Sequence, residues 1–320
     1  MANSSKKLII FDTDIGGDCD DAGALALCHK LCDTGEAELL AVTCCYETPY
    51  VAGCVDAINK YYGRNIPIGV NHDRKVEKPY YGGNYYGYDR YICEKFTNDY
   101  THSENVSDSL TVLRQTLAAS DDASVTLVAT GYLSSLAKLI QSQGDDVSPL
   151  TGKELVSRKV QYTVVMGGRF FEGWPEDFLH GTTPVVSEYN INCDIDAAKI
   201  VCDNWCGRLI FSSFEIGAAC ITLKDFHKYF NENPAACAYH MHPVAAVRGR
   251  ESWDLTAILY AIRPDSGYWS LSSAGKISVS DDGVTSFIYC EEGMHHFLLP
   301  CLDSGEICKI IDDLVMPECQ

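Results

Sequence analysis

Basic residues are scarce in this chain of 320: 25 Lys and Arg stand against 44 Asp and Glu, a formal net charge of −19 at pH 7. A nucleic acid or an anionic membrane surface needs a basic footprint, so neither is expected as a partner. Long apolar runs are missing too. No stretch reaches the ~18 consecutive apolar residues that a membrane-crossing helix needs. At the N-terminus, only Leu8–Phe11 are strongly apolar before Asp12 interrupts, too few for the core of a secretory signal. The 16 cysteines contain no Cys-x-x-Cys pair, which argues against a zinc ribbon or a thioredoxin-like motif. Cys44, Cys45 and Cys202 lie in or beside apolar runs, where a free thiol behaves as a small hydrophobe. A reducing, cytoplasmic setting is therefore the simpler expectation. No segment rich in Pro, Gly or Ser reads as a linker, and no internal repeat is visible. The length allows one large or two ordinary domains, and the missing linker favours a single domain over 1–320.

What the chain does have is acid in one place. Asp12, Asp14, Asp18, Asp20 and Asp21 fall within ten positions, directly after the apolar run Leu8–Phe11. Carboxylates so close together either take up protons or recruit a cation. Hard oxygen donors at this density suit Ca²⁺ or Mg²⁺ better than zinc.

The surrounding pattern is that of an α/β protein. Short runs, apolar on both alternations, predict strands at Lys7–Phe11, Leu39–Tyr46, Ile66–Val70, Ser124–Thr130, Val160–Met166 and Arg208–Phe214. Between them, helices are predicted at Asp20–Cys32, Tyr50–Tyr62, Ser107–Ala119, Leu133–Gln143 and Asp194–Cys202. Strands and helices alternating at this spacing imply a mainly parallel central sheet covered by helices on both faces. Further on, Pro243–Ile262 reads as one long helix. Lys276–Ser280 and Thr285–Tyr289 read as a small C-terminal β-hairpin across Asp282-Gly283, and Gly305–Leu314 as a last helix. The stretch Asn71–Tyr100 is rich in Gly and Tyr (Tyr80, Tyr81, Tyr85, Tyr86, Tyr88, Tyr91) without clear periodicity, and it reads as a lid over a flat ligand.

Three simpler accounts of the acids can be weighed. Asp20 and Asp21 would complement a helix N-terminus, a benefit of roughly 1 kcal/mol that leaves Asp12, Asp14 and Asp18 unexplained. An EF-hand loop starting at Asp12 would match at Asp14, Gly17, Asp18 and Asp20, but Gly23 stands where the bidentate Glu belongs and a strand precedes the loop. A phosphatase of the haloacid dehalogenase type would use Asp12 as nucleophile and Asp14 as acid with Mg²⁺. That reading meets added negative charge at Asp18, Asp20 and Asp21, where a phosphate dianion would approach.

Asp12-x-Asp14-x-Gly16 followed by Asp20-Asp21-Ala22-x-Ala24-Leu25 resembles the signature of the inosine–uridine preferring nucleoside hydrolase family. Four further segments follow in that family's order: Leu127–Leu133, Val165–Gly168, Glu188–Ile191 with Asp194 and Ala197-Ala198, and Trp253-Asp254. The resemblance implies hydrolysis of the N-glycosidic bond of a ribonucleoside or nucleoside-like riboside, giving ribose and free base, with one Ca²⁺ as cofactor. It also implies a homodimer or homotetramer, with a small-molecule riboside as the other partner. Carried over position by position, Asp14 matches the general base that activates a metal-held water. Asp21, the Thr130 carbonyl and Asp254 match the remaining metal ligands. Asp20, Glu188 and Asn190 match groups that bind the ribose hydroxyls, and Met166 matches the pocket lining. Glu188 and Asn190, one residue apart in an extended segment, would share a face.

The departures from the family pattern fall around the base. The best-known members carry a His immediately before the late Asp, where it protonates the leaving base; here that residue is Trp253. An indole cannot protonate a base at neutral pH, but it can stack on one and offers one N–H. The family's Gly-Asn after the second strand falls near Tyr46-Glu47, and an Asn expected shortly before Glu188 falls near Gly181-Thr182. His72, His180, His240 and His242 are the remaining candidates for a leaving-group acid, and Asp18 has no role in the family pattern. A riboside-binding protein with little turnover is the non-enzymatic alternative.

Overall fold

The computed structural model describes residues 6–76, 86–171 and 187–317. The chain opens with β1 (Lys7–Thr13), α1 (Asp20–Asp33), β2 (Ala37–Cys44), α2 (Val51–Tyr61), β3 (Ile68–Val70), α3 (Tyr88–Lys95), β4 (Ser107–Asp108) and α4 (Ser109–Ala119). The middle contains β5 (Val125–Ala129), α5 (Ser134–Gln141), α6 (Gly152–Lys159), β6 (Val160–Met166), α7 (Tyr189–Cys193), α8 (Ile195–Asn204), β7 (Leu209–Ser212) and α9 (Phe214–Ala218). It continues with β8 (Ile221–Thr222), α10 (Pro234–Met241), α11 (Ala245–Arg248), β9 (Arg250–Glu251) and α12 (Trp253–Ile262). It ends with β10 (Trp269–Leu271), β11 (Gly275–Val279), β12 (Thr285–Tyr289), β13 (His295–Pro300) and α13 (Ser304–Val315).

The main sheet runs in the order β12-β11-β13-β7-β6-β5-β1-β2-β3-β4, with β10 added beside β13. From β4 across to β13 every pairing is parallel, while β10, β11 and β12 are antiparallel additions. Parallel strands buried on both faces are apolar on both alternations, and Ile9, Ile10 and Phe11 of β1 are all fully buried. The two faces carry separate cores. One gathers α1, α2, α10 and α12 around Phe11, Leu25 and Ile258, and the other gathers α4, α5, α6 and α8 around Ile10, Leu127 and Phe211. Among the described residues no helix is long and apolar enough to cross a membrane, and every described cysteine is a free thiol.

Several elements differ from the sequence reading. Pro243–Ile262 is not one helix. It breaks after α11 at Gly249, whose φ of +84° is unfavourable for any side chain and whose Cβ would lie 2.3 Å from the Thr222 carbonyl oxygen. Arg250–Glu251 then pairs with β8, and a new helix starts at Trp253. The predicted hairpin is present as β11 and β12, but it joins the main sheet through β13, which pairs parallel with β7. The helix expected from Ser107 begins at Ser109, because Asp108 caps it by accepting from the Leu110 N–H at 2.9 Å. Of the expected lid over Asn71–Tyr100, Tyr80, Tyr81 and Tyr85 lie outside the described residues. Tyr88 is fully buried in α3, so this part of the segment belongs to the core.

Candidate active site

Strand order reverses between β1 and β5, with β2, β3 and β4 following on one side and β6 and β7 on the other. The loops leaving the carboxyl ends of β1 and β5 therefore diverge and open a crevice, the usual ligand position in a doubly wound sheet. One pocket there is lined by Asp14, Asp18, Asp20, Asp21, Thr130, Met166, Glu188, Tyr189, Asn190, Phe214, Trp253 and Asp254. All nine site residues named from the sequence are in this set.

The acids come from two ends of the chain. Asp14 follows β1, Asp20 and Asp21 open α1, and Asp254 lies in the first turn of α12. The Asp254 N–H donates to Asp20 Oδ2 at 3.2 Å across 234 positions. Carboxylate oxygens of Asp20, Asp21 and Asp254 lie within 4.8 Å of one another, all buried. Asp254 Oδ2 has no hydrogen-bond partner. Burial, followed by mutual repulsion with Asp21 and Asp20, pushes the Asp14 carboxyl far above the usual carboxylate range. Burial and the neighbouring acids do the same to Asp20 and Asp254. Asp21 is raised by burial to about 6, held down in part by the Thr13 hydroxyl that donates to it. A cluster of buried carboxylates with an orphaned oxygen and displaced proton affinities fits a hard cation. Beside the trio, the Thr130 carbonyl accepts from Asn190 Nδ2 at 2.7 Å and keeps a second lone pair.

Glu188 and Asn190 do share the site, but not as an extended pair. Glu188 is the N-cap of α7. Its Oε1 accepts from Asn190 N at 3.0 Å, and its Oε2 from Ile191 N at 3.1 Å and Gly168 N at 3.2 Å. Burial raises its carboxyl to about 7 even so. Asn190 Nδ2 also reaches Met166 Sδ at 3.1 Å, tying α7 to the end of β6. Both residues are buried.

Trp253 corrects the expectation of a free N–H. Its Nε1–H donates to the Phe214 carbonyl at 2.9 Å. Its ring tilts against the Phe214 ring at 5.6 Å and carries the Arg250 guanidinium at 4.8 Å. Two of the other candidate acids are engaged elsewhere. His72 meets Glu47 at 2.5 Å, and His240 stacks on Phe230 at 3.9 Å. His242 ends α10 and sits behind Asp18, while His180 and Gly181-Thr182 lie outside the described residues. Tyr46, at the position where the family has Gly-Asn, donates its hydroxyl to the Asp14 carbonyl at 2.7 Å. Asp12 is fully buried below the pocket and accepts from Thr43 Oγ1 at 2.5 Å, so it presents no nucleophile to a substrate.

The sequence reading had no role for Phe214, Tyr189 or Arg250, nor for Asp18, which Arg250 grips. Phe214 was read as the end of a strand and Arg250 as the interior of a helix, so neither carried a signal.

The sequence profile of the inosine–uridine preferring nucleoside hydrolases matches residues 9–293. Solved structures share the fold across almost the whole chain. An inosine–uridine preferring nucleoside hydrolase from Bacillus anthracis has 18% identity and a TM-score of 0.67, covering 97% of this chain and 99% of its own. An inosine–guanosine nucleoside hydrolase has 20% identity and a TM-score of 0.68, covering 98% and 100%. The type III effector XopQ, solved with adenosine diphosphate ribose, has 13% identity and a TM-score of 0.62, covering 98% and 93%. Comparison with curated protein sequences gave no match. With a profile match spanning most of its length and the fold to go with it, the chain belongs to the inosine–uridine preferring nucleoside hydrolase family of N-glycosyl hydrolases.

Proposed function

We propose that this chain hydrolyses the N-glycosidic bond of a ribonucleoside or nucleoside-like riboside with the help of Ca²⁺. Asp14, Asp21, Asp254 and the Thr130 carbonyl would hold the ion, since flexible all-oxygen coordination suits Ca²⁺ better than Mg²⁺. When bound, the cation supplies Lewis acidity and balances the buried carboxylates. Asp14 takes the proton of the attacking water, a role open to a carboxylate that lines the pocket at the end of β1 beside the other acids. Asp20, Glu188 and Asn190 bind ribose hydroxyls, and the surrounding carboxylates stabilise the positive charge that develops on the sugar as the bond breaks. Trp253 offers the base a flat face and no proton, because its N–H is already held by Phe214.

The observation that carries this reading is the meeting of Asp14, Asp20, Asp21 and Asp254 with Glu188, Asn190 and Trp253 in one pocket at the strand-order reversal. The test is reducing-sugar release from purine and pyrimidine nucleosides, before and after chelation, with Ca²⁺ or Mg²⁺ restored. Release that disappears with chelator and returns with Ca²⁺ supports the proposal. No release from any riboside by Ca²⁺-loaded protein sinks it. The engaged N–H of Trp253 favours one second reading, a riboside-binding protein with little turnover. Thermal stabilisation by ribosides, with adenosine diphosphate ribose included in the panel, and no sugar release would support that instead. We further place the protein in the cytoplasm as a homodimer or homotetramer, a state that size-exclusion chromatography with light scattering checks.

A further inference from the structure

The arginine missed in the sequence lies at the centre of a buried polar network. Arg250 Nε reaches Asp18 Oδ1 at 2.9 Å and Nη2 reaches Oδ2 at 2.6 Å, while Nη1 donates to Glu251 Oε2 at 2.5 Å. The guanidinium also lies over the Trp253 ring at 4.8 Å. Arg250, Asp18 and Glu251 are 5%, 8% and 0% exposed, so water cannot replace these contacts. His242 Nε2 approaches Asp18 Oδ1 at 3.5 Å from the other side. Asp18 belongs to the turn that delivers Asp14, Asp20 and Asp21, and its own backbone carbonyl accepts from the Tyr88 hydroxyl at 2.7 Å. One side chain therefore grips the acidic turn, the strand leading into α12, and the indole that walls the base side of the pocket. A planar guanidinium can make a two-point bond and a stack at once, whereas an ammonium cannot.

We infer that Arg250 is a positioning residue: through Asp18 and Trp253 it makes the metal-holding turn and the base-stacking wall one rigid unit. The kinetic and cation-binding parts of this inference rest on the riboside hydrolase reading and its Ca²⁺ site, while the spectroscopic part does not. Outer contacts that orient ligands typically alter metal affinity by about 10- to 100-fold when removed.

The test compares Arg250→Met, Arg250→Lys, Asp18→Asn and the double variant Asp18→Asn/Arg250→Met. Terbium luminescence and calorimetric Ca²⁺ titration read the cation site, and the emission difference between each variant and its Trp253→Phe partner reads the indole. Arg250→Met is expected to weaken cation binding about tenfold or more and to shift Trp253 emission. Asp18→Asn should do likewise, and the double variant should be no worse than the worse single one, since both break the same strut. Arg250→Lys should restore thermal stability by returning the buried charge, yet leave cation affinity and emission perturbed. If a buried unpaired charge prevents a single variant from folding, the double variant carries the comparison, since it removes both charges of the Asp18–Arg250 pair while Glu251 keeps its contact with Arg248 at 2.7 Å. On any riboside that is turned over, kcat should fall while KM rises. Cation binding and Trp253 emission like those of the parent in folded Arg250→Met overturn the inference, as does multiplication of the two single effects in the double variant. Absence of turnover on every riboside, with the binding effects present, counts only against the hydrolase reading.

Discussion

The Trp253 indole N–H and the Phe214 carbonyl oxygen are hydrogen-bonded at 2.9 Å. The indole edge is thereby occupied, and under the proposed function only the ring face is left for a substrate. Trp253→Phe removes this donor and leaves a buried carbonyl short of a partner, a cost of about 1–3 kcal/mol. Trp253→Ala removes the wall as well, and KM for ribosides should rise by roughly tenfold, the equivalent of one lost aromatic stack. Denaturant unfolding and initial-rate kinetics check the two separately. Unchanged KM in Trp253→Ala would remove Trp253 from base recognition.

Without the cation, stability should fall as pH rises. In the cation-free protein burial raises Asp12 from 3.8 and Glu188 from 4.5 to about 7, and Asp21 from 3.8 to about 6. The folded state then holds these protons more tightly than the unfolded chain does. Their contribution to stability is complete below the ordinary carboxylate range and is lost as pH rises through 6 to 7. Chelated protein should melt at a higher temperature at pH 5 than at pH 8. Excess Ca²⁺ should raise the melting temperature at pH 8, adding about 3 kcal/mol at a hundredfold excess over Kd, and so narrow the difference. Scanning fluorimetry at both pH values, with and without chelator, decides it.

Asp12→Asn separates the hydrolase from an aspartyl-phosphate mechanism. Buried and bonded to Thr43, Asp12 lies at the strand end and is not among the residues lining the pocket. Turnover should survive the substitution. The fall of stability between pH 5 and pH 8 should become shallower, because the part of the Asp12 shift that lies between pH 5 and about 7 is worth roughly 3 kcal/mol. Complete loss of activity in a folded Asp12→Asn protein would reinstate the phosphatase mechanism.

Gly217→Ala probes the seat of Trp253. A Cβ at Gly217 would lie 2.2 Å from Trp253 Cα, so the start of α12 must move. The expected cost is about 1–3 kcal/mol of stability, with a rise in riboside KM. A neutral result would mean that α9 and α12 slide past one another freely, and the tight seat would lose its meaning.

The strands that build the crevice were legible because a buried parallel strand leaves an unbroken apolar run. Ile9–Phe11 has this character, and Val125–Ala129 and Val164–Met166 come close to it, interrupted only by Thr126. The acid cluster was legible for the same reason, since charge directly after such a run stands out. What could not be read was set by tertiary contact. Gly249 breaks a helix whose pattern looked continuous, because its neighbour Thr222 comes from another part of the chain. Glu188 looked like part of a strand until its carboxylate met the N–H groups of a helix of only five residues. The orientation of Trp253 depends on a backbone carbonyl of α9, and a backbone carbonyl has no signature in sequence. Asp18 was read as surplus charge until Arg250, 232 positions away, supplied its partner.

Asp254 meets Asp20 only across 234 positions. The acidic turn is made early in synthesis and α12 late, so Asp20 waits for Asp254, and Asp18 for Arg250, until most of the chain exists. Completion of the pocket is thus tied to the packing of α1 against α12.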